Sequence, residues 1–372
     1  MHLFRRRAPG CRGLLAAALA CLMLGACGGP APVVIGAVLP LSGPAASVGA
    51  EVRDGLRLAV DRVNAEGGLN GRPLKLVIRD GAGGASAARD AYEAVTRRDP
   101  LLTVAATSSV AMALKPRAEK RDRLLMGLVA TAPALTDDTD HVYRYWPTAE
   151  QELPVMARVL PAGTGTVGVA YLDDAYGTSV FRKTRKRMAD TNTDIKGIPF
   201  PIDTTRFKPL ARQAVATGDG PDAGAVVVAG FQSHILGMLR ALDGIGYDGL
   251  VISTTTATLP AVVRAPAADG TRVVAPAIYN PNYVFADAVR QRYEERYDKP
   301  FNQYAANGHD LVTMLTGLLE NHAVNRRALH RRLHAGFVYS GVFGNVRLEK
   351  DAHDIHFPLF PARIQDKNLV YQ

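Results

Sequence analysis

Cysteine is almost absent from this 372-residue chain, and Cys11, Cys21 and Cys27 all fall within its first 27 residues. Nothing beyond Cys27 can form a disulfide within the chain, so the stability of the remainder rests on packing. Long hydrophobic runs are lacking too. Leu14 to Ala26 is apolar but shorter than the roughly 20 residues that a spanning helix needs, and no later stretch is longer and as apolar. There is no fixed-period repeat. The patterns G-x-S-x-G, H-E-x-x-H and the Walker loop are missing, which leaves catalysis unsupported. Charge is not concentrated either: the formal net charge of +9 is a mild bias spread along the chain, not a nucleic-acid footprint.

What is present begins with a leader. Arg5, Arg6 and Arg7 precede the apolar run, and small residues close it. A basic start, a short apolar core and a small-residue end make a secretory signal, here residues 1–26. Its last residues, Leu24-Gly25-Ala26-Cys27, resemble the bacterial lipobox, in which the cysteine is diacylated and becomes the new N-terminus. Cys27 is therefore the expected lipidation site, and residues 27–32 form a short tether. Removing the leader takes away four arginines and no acid, so the charge becomes +9 − 4 = +5. Gly28 stands where lipoproteins retained on an inner membrane usually carry Asp. That points to an outer membrane in a two-membrane host.

Past the tether, short β-branched runs alternate with amphipathic stretches. Val33–Val38 reads as a strand; Val52, Leu56, Ala59, Val60 and Val63 then recur at helical spacing until Gly67-Gly68 stops them. Strands follow at 74–78, 101–106 and 124–130, with helices between. A second set has strands at 166–172, 195–202, 223–229 and 250–254, with helices near 177–190, 207–216 and 233–245. Helices at about 284–297, 303–322 and 325–335 and a β-rich tail from Asn345 complete the pattern. This alternation predicts an α/β fold with two doubly wound parallel-sheet lobes. At 47% hydrophobic, the chain can build a core in each.

Ligands of such folds bind beyond the carboxyl ends of the strands, where helix N-termini present free N–H groups. Two turns fit. The strand at 101–106 runs into Thr107-Ser108-Ser109, and that at 124–130 into Thr131-Ala132-Pro133. Small hydroxyl residues there suit a carboxylate or carbonyl, although Ser and Thr also serve simply as helix caps.

Three stretches carry a resemblance. They are Ile35-Gly36-Ala37-Val38-Leu39-Pro40-Leu41-Ser42-Gly43-Pro44, Val63-Asn64-Ala65-Glu66-Gly67-Gly68-Leu69-Asn70-Gly71-Arg72-Pro73-Leu74 and Asp173-Asp174-Ala175-Tyr176-Gly177. With Ala130-Thr131-Ala132-Pro133 and the helix from Tyr304 to Leu315, they resemble the Leu/Ile/Val-binding type of periplasmic solute-binding protein, over nearly all of 33–372. The resemblance implies two lobes joined by three hinge crossovers, placed near Trp146, Tyr279 and Ser340. The first lobe is then 33–146 plus 280–338, the second 147–279 plus 339–372. It implies no enzyme activity and no cofactor. The expected protein is a monomer that takes a small amino-acid-like, carboxylate or amide solute and passes it to an ABC permease, anchored to the bilayer through Cys27 and facing the periplasm or cell surface. An anchored sensor of the same fold, signalling through a partner protein, is the alternative.

The resemblance also assigns site residues. Ser108 and Thr131 match positions that hold a ligand carboxylate and part of its ammonium, and Ala130 a backbone contact beside them. Tyr176 matches an aromatic that closes from the second lobe, and Phe231 stands where a tyrosine is common. Thr255 is a departure, since amino-acid binders usually carry Glu or Asp there. A desolvated ammonium lacking its carboxylate is penalised by about 2–5 kcal/mol, so the expected ligand has no free α-ammonium. Asp173 and Asp174 are read as helix caps.

Other signals are weaker. Gly163 to Gly168 fits G-x-G-x-x-G, but it leads into a strand rather than following one. His330 and His334 share a helical face with Arg331 and Arg332 nearby, which reads as a solvated basic surface, not a metal site. The run Arg182 to Arg187 reads as a solvated helix, with permease docking or membrane contact as its functional alternative.

Overall fold

The computed structural model describes residues 30–372 except 162, 190, 192, 219–221 and 281. The leader, Cys27 and residues 28 and 29 lie outside the described residues. Among those described, no helix is long and apolar enough to cross a membrane.

The first sheet contains β1 (Val33–Leu39), β2 (Leu74–Asp80), β3 (Leu102–Ala106), β4 (Leu125–Leu128) and β5 (Val142–Tyr145) in the order β2-β1-β3-β4-β5. All its pairings are parallel. β3 and β4 are buried along their whole length, as central strands covered on both faces must be. The helices α1 (Ala46–Ala65), α2 (Ala85–Thr96) and α3 (Ser108–Lys120) connect the strands.

Next come α4 (Ala149–Val159) and a second βα series: β6 (Thr166–Leu172), α5 (Ala175–Arg187), β7 (Asp194–Phe200), α6 (Phe207–Val215), β8 (Ala225–Ala229), α7 (Gln232–Asp243), β9 (Leu250–Ser253), the single-turn α8 (Pro260–Val263) and β10 (Arg272–Pro276). After it the chain forms α9 (Asp287–Tyr297), α10 (Gln303–Leu319), α11 (Arg326–Ala335), β11 (Phe337–Gly341), β12 (Gly344–Leu348), β13 (Leu359–Gln365) and β14 (Asn368–Tyr371). The second sheet runs β14-β13-β10-β9-β8-β6-β7. Its β-rich tail adds an antiparallel hairpin to the parallel strands, turning at Asp366 and Lys367, both of positive φ.

Several elements differ from the sequence expectation. The strand expected to reach Ala130 ends at Leu128, because Val129 takes φ 49° and leaves the sheet. β5, β10, β11 and α4 were not anticipated. The glycines at 163–168 have structural reasons: Gly163 and Gly165 take positive φ in the turn before β6, and a Cβ on Gly168 in β6 would lie 2.0 Å from the Ala214 carbonyl oxygen of α6.

The late helices return to the first sheet's helical layer. α10 packs on α1 so closely that a Cβ on Gly55 would sit 1.9 Å from the Ala305 carbonyl oxygen, and one on Gly308 2.4 Å from that of Val52. Asp310 of α10 then ties the chain passages together. It is 1% exposed and accepts from Tyr145 Oη (2.8 Å), Tyr339 Oη (3.1 Å) and Val342 N (3.0 Å).

Candidate ligand cleft

The turn after β3 and the turn after β4 meet through one hydroxyl. Ser108 Oγ accepts from Thr131 N at 2.9 Å and from Ala132 N at 3.0 Å, and lies 3.4 Å from Thr131 Oγ1. A hydroxyl has two acceptor lone pairs and one proton. Both lone pairs are used by backbone N–H groups, so Ser108 has only its proton to give, and Thr131 Oγ1 at 3.4 Å is the acceptor that a ligand oxygen would replace. The backbone here is held in uncommon geometry: Thr107 has φ 73° and Val129 φ 49°. Both are β-branched, and such conformations store roughly 1–3 kcal/mol each, which surrounding structure must offset.

These turns form one wall of a cavity of about 260 Å³. Thr107, Ser108, Thr131 and Val129 face Tyr176, Phe231, Thr255 and Ile202 across it, with Trp146 and Tyr304 also in its lining. Five of the six ligand-site residues expected from sequence are thus brought together. The sixth, Ala130, is fully buried with its side chain in the hydrophobic core and does not line the cavity. Asp174 lines it, and its Oδ1 accepts from Gly177 N at 2.8 Å as the N-cap of α5. Burial raises the Asp174 carboxyl above its ordinary value. Asp173 is not part of the lining.

The opposite wall holds a group that sequence reasoning missed. Glu152 of α4 is 1% exposed and lies behind the cavity surface. It accepts from Tyr176 Oη at 2.6 Å, Thr255 Oγ1 at 2.6 Å and Thr255 N at 3.0 Å. Burial pushes its carboxyl up, and those three donors pull it back. Thr255, expected at the ligand site, lines the cavity but does not turn its hydroxyl to a ligand, because that proton goes to Glu152. Tyr176 is committed the same way, which leaves its ring and the Thr255 methyl as the surfaces a ligand meets. The signal for Glu152 was present, since Thr148 followed by Glu150 and Glu152 has helix-start composition. Pro154, inside the same helix, obscures it.

Thr255 O also accepts from Gln303 Nε2 at 3.1 Å, joining this wall to the start of α10. Phe231 is fixed through His234, whose Nδ1 accepts from Phe231 N at 3.3 Å. That acceptor role leaves Nε2 protonated, to donate to Ile202 O at 2.9 Å.

His330 and His334 are not solvated as expected. His330 stacks on His141 at 4.7 Å. His330 and His334 pack edge-on against Tyr143 and against each other, and His334 also against His353, while burial lowers the His330 and His353 imidazoles. No metal-holding group of His, Cys, Asp and Glu occurs among the described residues.

Two α/β lobes around a cleft lined by helix N-termini define a solute-binding protein of the Leu/Ile/Val-binding type, with the type I periplasmic binding fold. The model of the periplasmic binding protein family matches residues 32–368, and the chain belongs to that family. It is 24% identical over 337 residues to Leu/Ile/Val-binding protein homolog 7 of Brucella melitensis, covering 84% of this chain and 82% of that one. It is 30% identical over 233 residues to the chemotactic signal transduction system substrate-binding protein BasB of Halobacterium salinarum. That match spans 59% of this chain and 54% of BasB, about half the length of the relative.

Among solved structures, the substrate-binding protein LivJ of Streptococcus pneumoniae, in complex with isoleucine, has a TM-score of 0.78 at 19% identity, covering 92% of this chain and all of that one. A solute-binding protein of Rhodopseudomonas palustris, in complex with 3,4-dihydroxybenzoic acid, reaches 0.80 at 15% identity over 92% and 96%. These likenesses show the fold.

Proposed function

We propose that the chain is a lipid-anchored receptor that closes on a small carboxylate- or amide-bearing solute with an apolar body and delivers it to an ABC permease. The observation carrying this reading is the remaining valence of Ser108. With both lone pairs occupied it is a donor, so the group it meets is an acceptor oxygen. Opposite it, the hydroxyls of Tyr176 and Thr255 are turned to Glu152, and Trp146, Tyr304, Phe231 and Ile202 surround the rest. Such a wall suits an aliphatic or aromatic tail and gives an ammonium no exposed partner but the capping Asp174. The isoleucine and dihydroxybenzoate bound by the two structural neighbours bracket the choice.

Calorimetry with leucine, its deaminated keto-acid and its amide tests the specificity. The keto-acid or the amide is expected to bind more tightly than leucine. Tighter binding of leucine would return the chain to the amino-acid binders, with Glu152 or Asp174 serving the ammonium.

Closure is proposed about the crossovers near Trp146, Tyr279 and Ser340, the lobes being divided as the sequence suggests. Trp146 is the sole tryptophan, lines the cavity and lies 5.8 Å from the Tyr304 ring. A saturating ligand should shift its emission and compact the particle in small-angle scattering. An unchanged scattering profile would count against closure.

Anchoring is read from Leu24-Gly25-Ala26-Cys27. Two acyl chains hold a protein firmly on a bilayer, so Cys27→Ser should move the protein from the membrane fraction to the soluble one. Retention in the pellet refutes it.

The likeness to BasB supports a second reading, in which the loaded receptor signals to a partner instead of feeding a permease. Solute uptake by cells lacking this chain separates the two: uptake falls in the first and persists in the second.

A further inference from the structure

A second concavity is larger than the cleft. It measures about 970 Å³ and lies at the opposite edge of the first sheet, where β1, β3 and β4 begin. Its lining includes Arg72, Arg326, Arg327 and Arg331 against two acids, Asp99 and Asp122. Asp99 is already shared by Arg123 (2.6 Å) and Arg326 (2.7 Å). Among the described residues Arg72 reaches carbonyls alone, donating to Ala31 O at 2.9 Å and Val324 O at 3.3 Å.

Topology concentrates charge on this edge. In a parallel βα series the helices run back against the strands, so their C-termini gather where the strands begin. Arg97 and Arg98 directly follow α2, and Lys120 closes α3, while α11 contributes Arg327 and Arg331. All five are exposed and, among the described residues, none makes an ion pair. Of the acids at this edge, Asp99 is taken by Arg123 and Arg326, Glu93 in the last turn of α2 pairs with Arg117 and Arg121, and Asp122 lies 3.9 Å from His141.

Pro32 lines the same concavity. It lies five positions after Cys27, and a fully extended chain covers about 3.5 Å per residue, so an acyl anchor lies within about 18 Å of this edge. The face that carries these arginines is thus also the face from which the tether leaves.

We propose that the strand-start edge of the first lobe is a lipid-facing surface whose arginines lie on the anionic headgroups of the membrane that holds Cys27. This rests on the anchoring proposed above and goes beyond it. An anchor alone leaves the body free to tumble. The basic edge fixes its posture, with the lobe standing on its base. The cleft, at the carboxyl ends of the same strands, is then held open to solvent and away from lipid. Each basic side chain near an anionic bilayer strengthens the attraction roughly fivefold, and the effect fades beyond a Debye length of about 10 Å.

The test uses the acylated full-length product reconstituted in vesicles of phosphatidylcholine alone or with about one third phosphatidylglycerol. Phenylglyoxal modification of individual arginines is read by peptide mass spectrometry. Arg97, Arg98, Arg327 and Arg331 should react at least about fivefold more slowly on the anionic vesicles, with protection lost at high salt, while Arg182 on the second lobe is unaffected. Arg121, which follows Lys120 at the end of α3, should share this protection, and charge reversal at Arg97, Arg98, Arg327 and Arg331 to Glu should abolish it without altering ligand affinity. Equal reactivity on both vesicles, or equal protection of Arg182, overturns the proposal. Protection by a dissolved polyanion but not by the vesicle surface also overturns it, reassigning the edge to a soluble partner. Failure of anchoring itself reads differently, since the protein then floats with neither kind of vesicle.

Discussion

Asp310→Ala is expected to lower stability by about 3–5 kcal/mol, enough to consume much of the margin of an ordinary domain. The carboxylate is buried and serves donors from three separate parts of the chain: Tyr145 at the end of β5, Tyr339 in β11, and Val342 in the turn before β12. Removing it strands buried N–H and O–H groups, each costing roughly 1–3 kcal/mol. Gly341 closes off repair from that side, since a Cβ there would already stand 2.1 Å from Asp310 Oδ1.

The same group makes stability depend on pH. Burial raises the Asp310 carboxyl from 3.8 to about 6, against the pull of its donors. Between those values the folded protein holds a proton that the unfolded chain has released. Stability therefore falls as pH rises through this window, by about 3 kcal/mol, and the full cost persists above it. Asp310→Asn removes that titration but keeps one acceptor oxygen, so it should be milder than alanine and flatten the profile between about pH 4 and 6. Chemical denaturation of the three proteins at pH 4, 5, 6 and 7 measures this. If wild type and Asp310→Asn share one slope, Asp310 is not the group responsible.

Much of the architecture was legible in the sequence because parallel α/β layers write themselves as periodicity. β6 spans Thr166–Leu172 as expected, and β3 and β8 are unbroken β-branched or small apolar runs with no competing helical pattern. What escaped has a local cause in each case. β5, Val142–Tyr145, is four residues containing Arg144, which reads as polar, yet Arg144 is 1% exposed and pairs with Asp354 at 2.9 Å. Its charge is neutralised by a residue more than two hundred positions away, which no window can see. Pro154 disguises α4, and Glu152 with it.

The cleft shows the same division. Ser108 and Thr131 were identifiable because strand-to-helix turns in such folds converge by construction. The roles of Tyr176 and Thr255 were not, because what a hydroxyl does depends on its partner. Glu152 is 24 residues from one and 103 from the other. A threonine that looks in sequence like a replacement for an acid proves to hold an acid in place.

The largest effect on binding is expected from Ser108→Ala, which should weaken ligand affinity about a hundredfold, against about tenfold for Thr131→Ala. Thr131 would lose one hydrogen bond to a charged or carbonyl group, worth roughly 1.5–3 kcal/mol. Ser108 would lose that and also the oxygen that accepts from Thr131 N and Ala132 N. Those two bonds hold the turn after β4 against the turn after β3, with Val129 and Thr107 in their uncommon backbone conformations on either side. Without the bridge, the turn relaxes and Thr131 is misplaced as well, so the two substitutions cannot be additive. The double variant should bind little worse than Ser108→Ala alone. Cysteine at 108 keeps the shape with a weak donor and acceptor and should fall between serine and alanine. Calorimetry of the four variants with the tightest solute found in the specificity screen decides the matter. Independent, additive losses from the two sites would mean that Ser108 is only another contact and not the residue that builds the site.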